Sequence, residues 1–218
     1  MAIKPILFNT EMVRAILDGR KTCTRRIAKG FIPDDALWGY TAFTPKGYIS
    51  CRGVYADGYG EGFYKLPYQP GDILYVRETW QYLYELDGNE QVIEDTGKYY
   101  YAATDTIPFD TYVDENGVTH DHAPWRPSIH MPKEAARIWL KVTNVRVERL
   151  QDITSEQIYR EGTEVEEPFV LNGEEKRYAF SVLWNSTIKK SDLDRYGWDA
   201  SPWVLVIEFE RCEKPQEV

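Results

Sequence analysis

Residues 137–150 read RIWLKVTNVRVERL, and the fold turns on this stretch. Ile138, Leu140 and Val142 share one parity while Val145 and Val147 take the other, so the two-residue period slips by one near Thr143 and Asn144. Such a slip announces a β-bulge, and bulges bend long strands into barrels. The stretch is therefore predicted as the longest strand of an α+β domain, curved toward a β-barrel with short helices at its flanks.

The neighbouring segments carry punctuation that agrees with this. After the strand, Thr154 and Gln157 form a capping box and Ile153 and Ile158 a hydrophobic staple, which predicts a helix start. Gly162 stops that helix within two turns, leaving Glu161 in its last turn, where the helix dipole disfavours a carboxylate. A residue placed against local preference is a candidate for function. Glu164 to Glu175 reads as an acidic loop. Arg177 to Ile188 reads as a helix burying Phe180, Leu183, Trp184 and Ile188, and Pro202 to Phe209 as a closing strand. Upstream, Gly71 to Trp80 is a strand apolar on both faces, hence covered on both, with Arg77 and Glu78 emerging at its end as an ion couple for structure or for a ligand. Pro5 to Phe8 fits a first strand at a sheet edge, where a proline is tolerated.

Between that edge strand and the rest lies NTEMVRAILDGRKTCTRR, residues 9–26. Met12, Val13, Ile16 and Leu17 fall at helical spacing, Asn9 or Thr10 can cap the start, and Gly19 marks the exit, so the helix is predicted to end at Asp18. Arg20, Lys21, Thr22, Cys23, Thr24, Arg25 and Arg26 follow, too charged for a core strand and too β-branched for a linker. Residues 1–30 hold seven Lys and Arg against Glu11 and Asp18, a net of +5 inside a 218-residue chain of net charge −9. A positive spot on an acidic body suits one phosphate, nucleotide or short single strand better than a long duplex.

Composition excludes several classes. The chain is 43% apolar and 28% charged, which is globular, and no apolar run of about 18 residues is present to span a membrane. The opening MAIKPILFNTE has no signal-peptide cleavage site, so a cytoplasmic chain with no membrane partner is expected. Cys23, Cys51 and Cys212 form no C-x-x-C pair and are read as reduced thiols. His120 and His122 sit beside Asp114 and Asp121 in a Pro-, Gly- and Asp-rich segment without the rigidity of a ligand set, so no metal site and no cofactor are expected; His130 is read as a packed or pocket-lining residue. Residues 32–48 are expected to be irregular. Tyr48 to Val54 is a strand candidate leading into a Gly- and Tyr-rich stretch whose Tyr55, Tyr59, Phe63, Tyr64 and Tyr68 fit either base stacking or a hairpin packing on its own domain. Leu86 to Tyr101 reads as a hairpin around Asp87-Gly88-Asn89, and Asn116-Gly117 as a further turn.

The order of helix, GRKTCTRR, GDILYV strand, long curved strand, capped helix ending in Glu-Gly, Leu-Trp-Asn helix and final WVLVIEF strand resembles the ASCH domain family of the PUA-like superfamily, in the long form carried by phages and prophages. The resemblance covers roughly residues 3–27, 70–80 and 137–210. It implies a single PUA-like β-barrel domain over residues 1–218 with flanking short helices and two insertions, approximately 31–69 and 81–132. Some small ASCH proteins are amidohydrolases that deacylate N4-acetylcytidine with a lysine, a threonine and a glutamate; the matching positions here are Lys21, Thr24 and Glu161. The chemistry is coherent in itself: a threonine hydroxyl needs a neighbouring base, and like charge from Arg20, Arg25 and Arg26 lowers the proton affinity of Lys21. Residues 21 and 24 point to opposite faces of a regular strand, so this reading requires a kink after Gly19. Three functions fit the sequence. The first is RNA or modified-nucleoside binding, with Arg20, Arg25, Arg26, Arg77 and Glu78 around the ligand. The second is the amidohydrolase, or a ribonuclease using the same cleft. The third is a structural or assembly protein of a phage-like particle. The oligomeric state is not encoded in any motif.

Overall fold

A computed structural model describes residues 1–30, 32–85, 87, 89, 91, 93–107, 112–113, 118–120, 124–163 and 173–216. In chain order the strands and helices are β1 (Ile3–Leu7), α1 (Thr10–Leu17), β2 (Cys23–Ile27), β3 (Leu37–Gly39), β4 (Tyr48–Tyr55), β5 (Gly58–Lys65), β6 (Ile73–Arg77), β7 (Trp80–Leu83), β8 (Lys98–Tyr101), β9 (Tyr112–Val113), β10 (Thr119–His120), β11 (Trp139–Arg149), α2 (Ser155–Arg160), α3 (Gly173–Ser186), α4 (Leu193–Tyr196) and β12 (Trp203–Cys212). The largest sheet has the order β1-β6-β11-β12-β2, and smaller sheets are β3-β4-β5, β7-β8 and β9-β10. The class is thus mixed α and β with strands dominant. The expected barrel is not closed among the described residues: the five-stranded order begins at β1 and ends at β2.

The chain divides into two compact units. The first comprises Met1–Ala2, Gly19–Asp72 and Lys141–Glu210. Here β12 pairs antiparallel with β2, Ile207 opposite Thr24 and Val206 opposite Arg25. In β11, Val142 and Val145 are buried while Thr143 and Asn144 between them are both exposed, which is the one-residue slip written in burial. The helix after it starts as its sequence dictates: the Thr154 hydroxyl accepts from the Gln157 amide and the Gln157 side chain accepts from the Thr154 amide. Ile153 and Ile158 join Leu150, Phe180, Trp184, Val204 and Val206 in one apolar core. Helix α3 begins at Gly173, so the acidic loop predicted to run to Glu175 ends earlier; residues 164–172 lie outside the described residues. Phe180 and Trp184 are buried as expected, while Leu183 and Ile188 are only half-buried.

The span 32–48, expected to be irregular, contains β3. Its three residues are too few to show a period, and they are held by pairing with β4, Trp38 opposite Cys51, and by the Trp38 ring packing edge-on against Tyr64 and Trp203. Opposite β4, β5 completes a long hairpin with Tyr55 across from Gly58.

The second unit comprises Ile3–Asp18, Ile73–Leu140 and Arg211–Val218. Strand β1 lies at a sheet edge, pairs in parallel with β6 and carries Pro5 there. Helix α1 is capped by Asn9, whose Oδ1 accepts from the Met12 amide 2.9 Å away, and Asp18 is its C-cap. It buries Val13, Ala15 and Ile16, with Met12 and Leu17 half-buried. In β6, Leu74 and Val76 are fully buried and Ile73 nearly so, the pattern of a strand covered on both faces. Trp80, Met131, Ala135 and Trp139 form the core around Ile73.

Candidate functional site

Within the first unit the segment after Gly19 is laid along the C-terminal end of α2. The Thr22 amide donates to Arg160 O at 2.9 Å, Lys21 Nζ to Glu161 O at 2.7 Å, and Arg20 Nη1 to Gly162 O at 3.3 Å. A helix ends with carbonyls that lack intrahelical donors and carry the negative pole of the dipole; here basic and amide groups of the chain's own basic segment occupy the carbonyls just beyond the last turn. Gly162, at φ +81°, lets the chain turn out of the helix.

Glu161 sits at this junction, and its carboxylate is enclosed rather than exposed. Oε2 accepts from Lys21 Nζ at 2.9 Å and Oε1 from Arg25 Nη1 at 2.9 Å. Arg25 Nη2 donates onward to Glu148 Oε1 at 2.5 Å and Gln157 Oε1 at 3.0 Å. Glu148 Oε2 accepts from Arg146 Nε at 2.9 Å, and Arg146 Nη1 donates to Glu208 Oε1 at 2.6 Å. Three cations and three carboxylates thus alternate in one chain, from Lys21 and Arg25 side chains only 2% and 1% exposed to Arg146 at 30%. Two of its members raise the local cost of ions to the point where only full pairing makes burial tolerable. The helix-end rule that Glu161 breaks is offset by two buried cations.

The protonation states follow. Burial pushes the Cys23 thiol up to about 12, reinforced by Glu161 and opposed by Lys21, Arg25 and Arg160, so it is no nucleophile despite its place in the cluster. Desolvation by the surrounding protein pulls the Arg26 guanidinium below its ordinary value while Glu161 and Tyr68 push it back, although the residue keeps an exposed surface. Burial raises the Tyr68 phenol, opposed by Arg26. Glu208 and Glu148 outweigh burial and raise Arg146.

This chain matches no family model, no curated protein and no solved structure.

Of the residues singled out in the sequence, Lys21, Arg25 and Glu161 meet in one hydrogen-bonded cluster, Arg20 lies alongside it, and Arg26 lies within its electrostatic reach. Thr24 is 3% exposed in β2, whose alternation sets it with Arg26 and opposite Cys23 and Arg25; its hydroxyl makes no hydrogen bond to Lys21 or Glu161. Lys21 precedes β2 and donates to Cys23 O at 2.8 Å as well as to the two Glu161 oxygens. Arg77 and Glu78 belong to the second unit and do not pair with each other. Arg77 Nε donates to Met131 O at 2.8 Å and Nη2 donates to Ile129 O, while the buried Glu78 carboxylate is gripped by Arg137 through two bonds of 2.9 Å. These partners are structural. Asp114, Asp121 and His122 lie outside the described residues, and among the described ones no cluster of His, Cys, Asp and Glu has a metal-holding arrangement.

Sequence reading missed Glu148, Gln157, Arg146, Glu208 and Arg160, whose Nε donates to Thr22 Oγ1 at 3.1 Å. A signal existed for two of them. After the slip in β11, Arg146 and Glu148 take the parity opposite Val145 and Val147, an ionic pair on one face of a strand. Among the described residues, two buried donors here have no hydrogen-bond partner: Arg25 Nε in the cluster and the hydroxyl of Thr163, two positions after Glu161.

Proposed function

We propose that this chain binds RNA or a modified nucleoside at the cluster where β2 meets the end of α2, with the ASCH-type, PUA-like architecture that its motif order resembles, and does so in the cytoplasm. What supports the reading is the sign of the surplus. The buried carboxylates are matched by Lys21, Arg25 and Arg146, and what is left over among the described residues is donor capacity: Arg25 Nε–H, the Thr163 hydroxyl, and the guanidinium of Arg160, whose side chain has there only a threonine oxygen as acceptor. Arg26 adds a charge within electrostatic reach of the Tyr68 phenol. A ligand that brings acceptors and a π-face, such as phosphate and a nucleobase carbonyl, complements such a set.

Deacylation of an acylated cytidine is the second reading, and one distance favours it. Lys21 Nζ and Glu161 Oε2, two of the three groups this reading needs, meet at 2.9 Å. Titration of cytidine 5′-monophosphate and N4-acetylcytidine separates the readings. Binding is expected for both ligands, weakened about tenfold or more by Arg26→Ala and by added salt for the phosphate, and retained by Thr24→Val. Release of cytidine from N4-acetylcytidine that disappears in Thr24→Val establishes the hydrolase. Absence of binding to either ligand overturns the proposal.

A further inference from the structure

The β3-β4-β5 sheet has one face turned inward and one that is open to solvent except at the buried Ser50. Inward lie Trp38, Ile49, Cys51 and Tyr64, with Tyr55 over Gly60 and Gly62 of β5: a Cβ on Gly62 would stand 2.7 Å from Tyr55 Oη, so that position is kept clear for the phenol. Residues directly opposite in an antiparallel pair share a face. The outer face therefore combines Leu37, Arg52, Val54, Tyr59, Phe63 and Lys65. Tyr59 is 68% exposed, Val54 57% and Phe63 42%. The aromatic residues of this stretch are thus sorted by parity into a packed set and a displayed set.

We propose that this displayed face is a binding platform for single-stranded nucleic acid. It rests on, and extends, the nucleic-acid reading of the cluster in the same unit. Tyr59 and Phe63 lie four residues apart on β5, about 13 Å along a strand, each presenting a ring on which one base can stack. Arg52 and Lys65 are exposed on the same face, and among the described residues neither forms an ion pair. The one acid of the face, Glu61, lies opposite Arg52 and accepts from the Ser50 hydroxyl, leaving the patch net positive on a chain of net −9. Interleaved rings and cations fit a strand of phosphates and bases; a protein partner would favour a patch depleted of lysine. Strand β5 also leads toward the cluster: three residues beyond Lys65 comes Tyr68, whose phenol interacts electrostatically with Arg26. The chain leaving β5 thus reaches a residue that interacts with Arg26 of the proposed nucleoside site.

The test measures anisotropy of a fluorescein-labelled oligouridine, and of oligothymidine, beside calorimetric titration of cytidine 5′-monophosphate and sizing of the free protein. Tyr59→Ala/Phe63→Ala is expected to weaken the oligonucleotide at least about tenfold and leave the mononucleotide unchanged, while Arg26→Ala does the reverse for the mononucleotide. Arg52→Ala, which removes no packed side chain, should lower oligonucleotide affinity and its salt dependence. RNA bound in preference to DNA, or both bound equally, supports the platform. If the mononucleotide binds but the oligonucleotide does not, or the double variant binds it as tightly as wild type, the platform falls and the cluster's role stands. If the oligonucleotide binds through the aromatic pair without any mononucleotide binding, the cluster's role falls and the platform stands. If neither binds, or sizing shows a dimer that the double variant dissociates, the platform is overturned.

Discussion

Glu161 is where the chain departs furthest from what its local sequence prefers, a carboxylate on the C-cap of α2 facing the negative end of the helix. The structure offsets this with Lys21 and Arg25, each 2.9 Å from one oxygen. Removing one member of such a buried set leaves the others charged and unmatched, and that cost exceeds the worth of the bond itself. Glu161→Gln keeps the size but leaves one acceptor where there were two, turns an NH2 toward a buried cation and strands the charge of both, so it should destabilise the fold by about 3 kcal/mol in urea titration, with an unchanged dependence on urea. A loss below about 1 kcal/mol would mean the cluster is solvated and its ions independent. The same neighbourhood explains why Cys23, though beside three cations, is no nucleophile: burial acts on its thiol more strongly than they do.

Elements were legible in the sequence to the degree that their determinants are local. The caps of α1 and α2 and the slip in β11 are written within a few residues each, and the structure reproduces them. What could not be read were long-range pairings. Arg77 and Glu78 are sequence neighbours that diverge from one strand end, and Glu78 instead takes Arg137, 59 positions away. Lys21 and Glu161 lie 140 positions apart and nothing local in either segment names the other, while Arg146 and Glu148 show only their shared parity after the slip and Glu208 carries no mark of the network that joins them. Gly62 of β5 reads as turn composition, yet it keeps space for the Tyr55 phenol. That reading has a measurable consequence. Gly62→Ala should destabilise the hairpin by about 1–3 kcal/mol because its Cβ meets Tyr55 Oη at 2.7 Å. In a Tyr55→Phe background, where the obstructing oxygen is gone, the same substitution should cost markedly less, and the coupling is read from a double-mutant cycle in urea. Additive effects would show that the ring moves aside freely.

At the scale of the whole chain, charge is unevenly held. Seven of the 26 basic residues lie in the first 30 positions, and the acidic excess elsewhere gives the net of −9, so raising the pH adds negative charge to a chain already negative. Three buried or half-buried acids sharpen this. Cys23 is raised from 9.0 to about 12, and Tyr55 and Tyr101 from 10.0 to about 12, in each case first by burial. Each group is neutral in the folded chain at a pH where the unfolded chain has already released its proton. The unfolded state therefore binds fewer protons between the two values, and stability declines as pH rises through that window. Their contribution is whole below about pH 9, begins to fail as the unfolded cysteine and then the unfolded tyrosines ionise, and is gone near pH 12. Cys23, the most buried of the three at 2% exposure, is responsible for about 2–3 kcal/mol of the loss by pH 11 or so; the two tyrosines add less for being partly solvated. Urea midpoints should hold steady from neutrality to about pH 9 and then fall, with a fraction of the tyrosinate absorbance appearing only as the chain unfolds. Cys23→Ala should flatten the early part of that fall while leaving the tyrosine part in place, and a midpoint that is level through pH 11 would show that these groups are solvated in the folded chain.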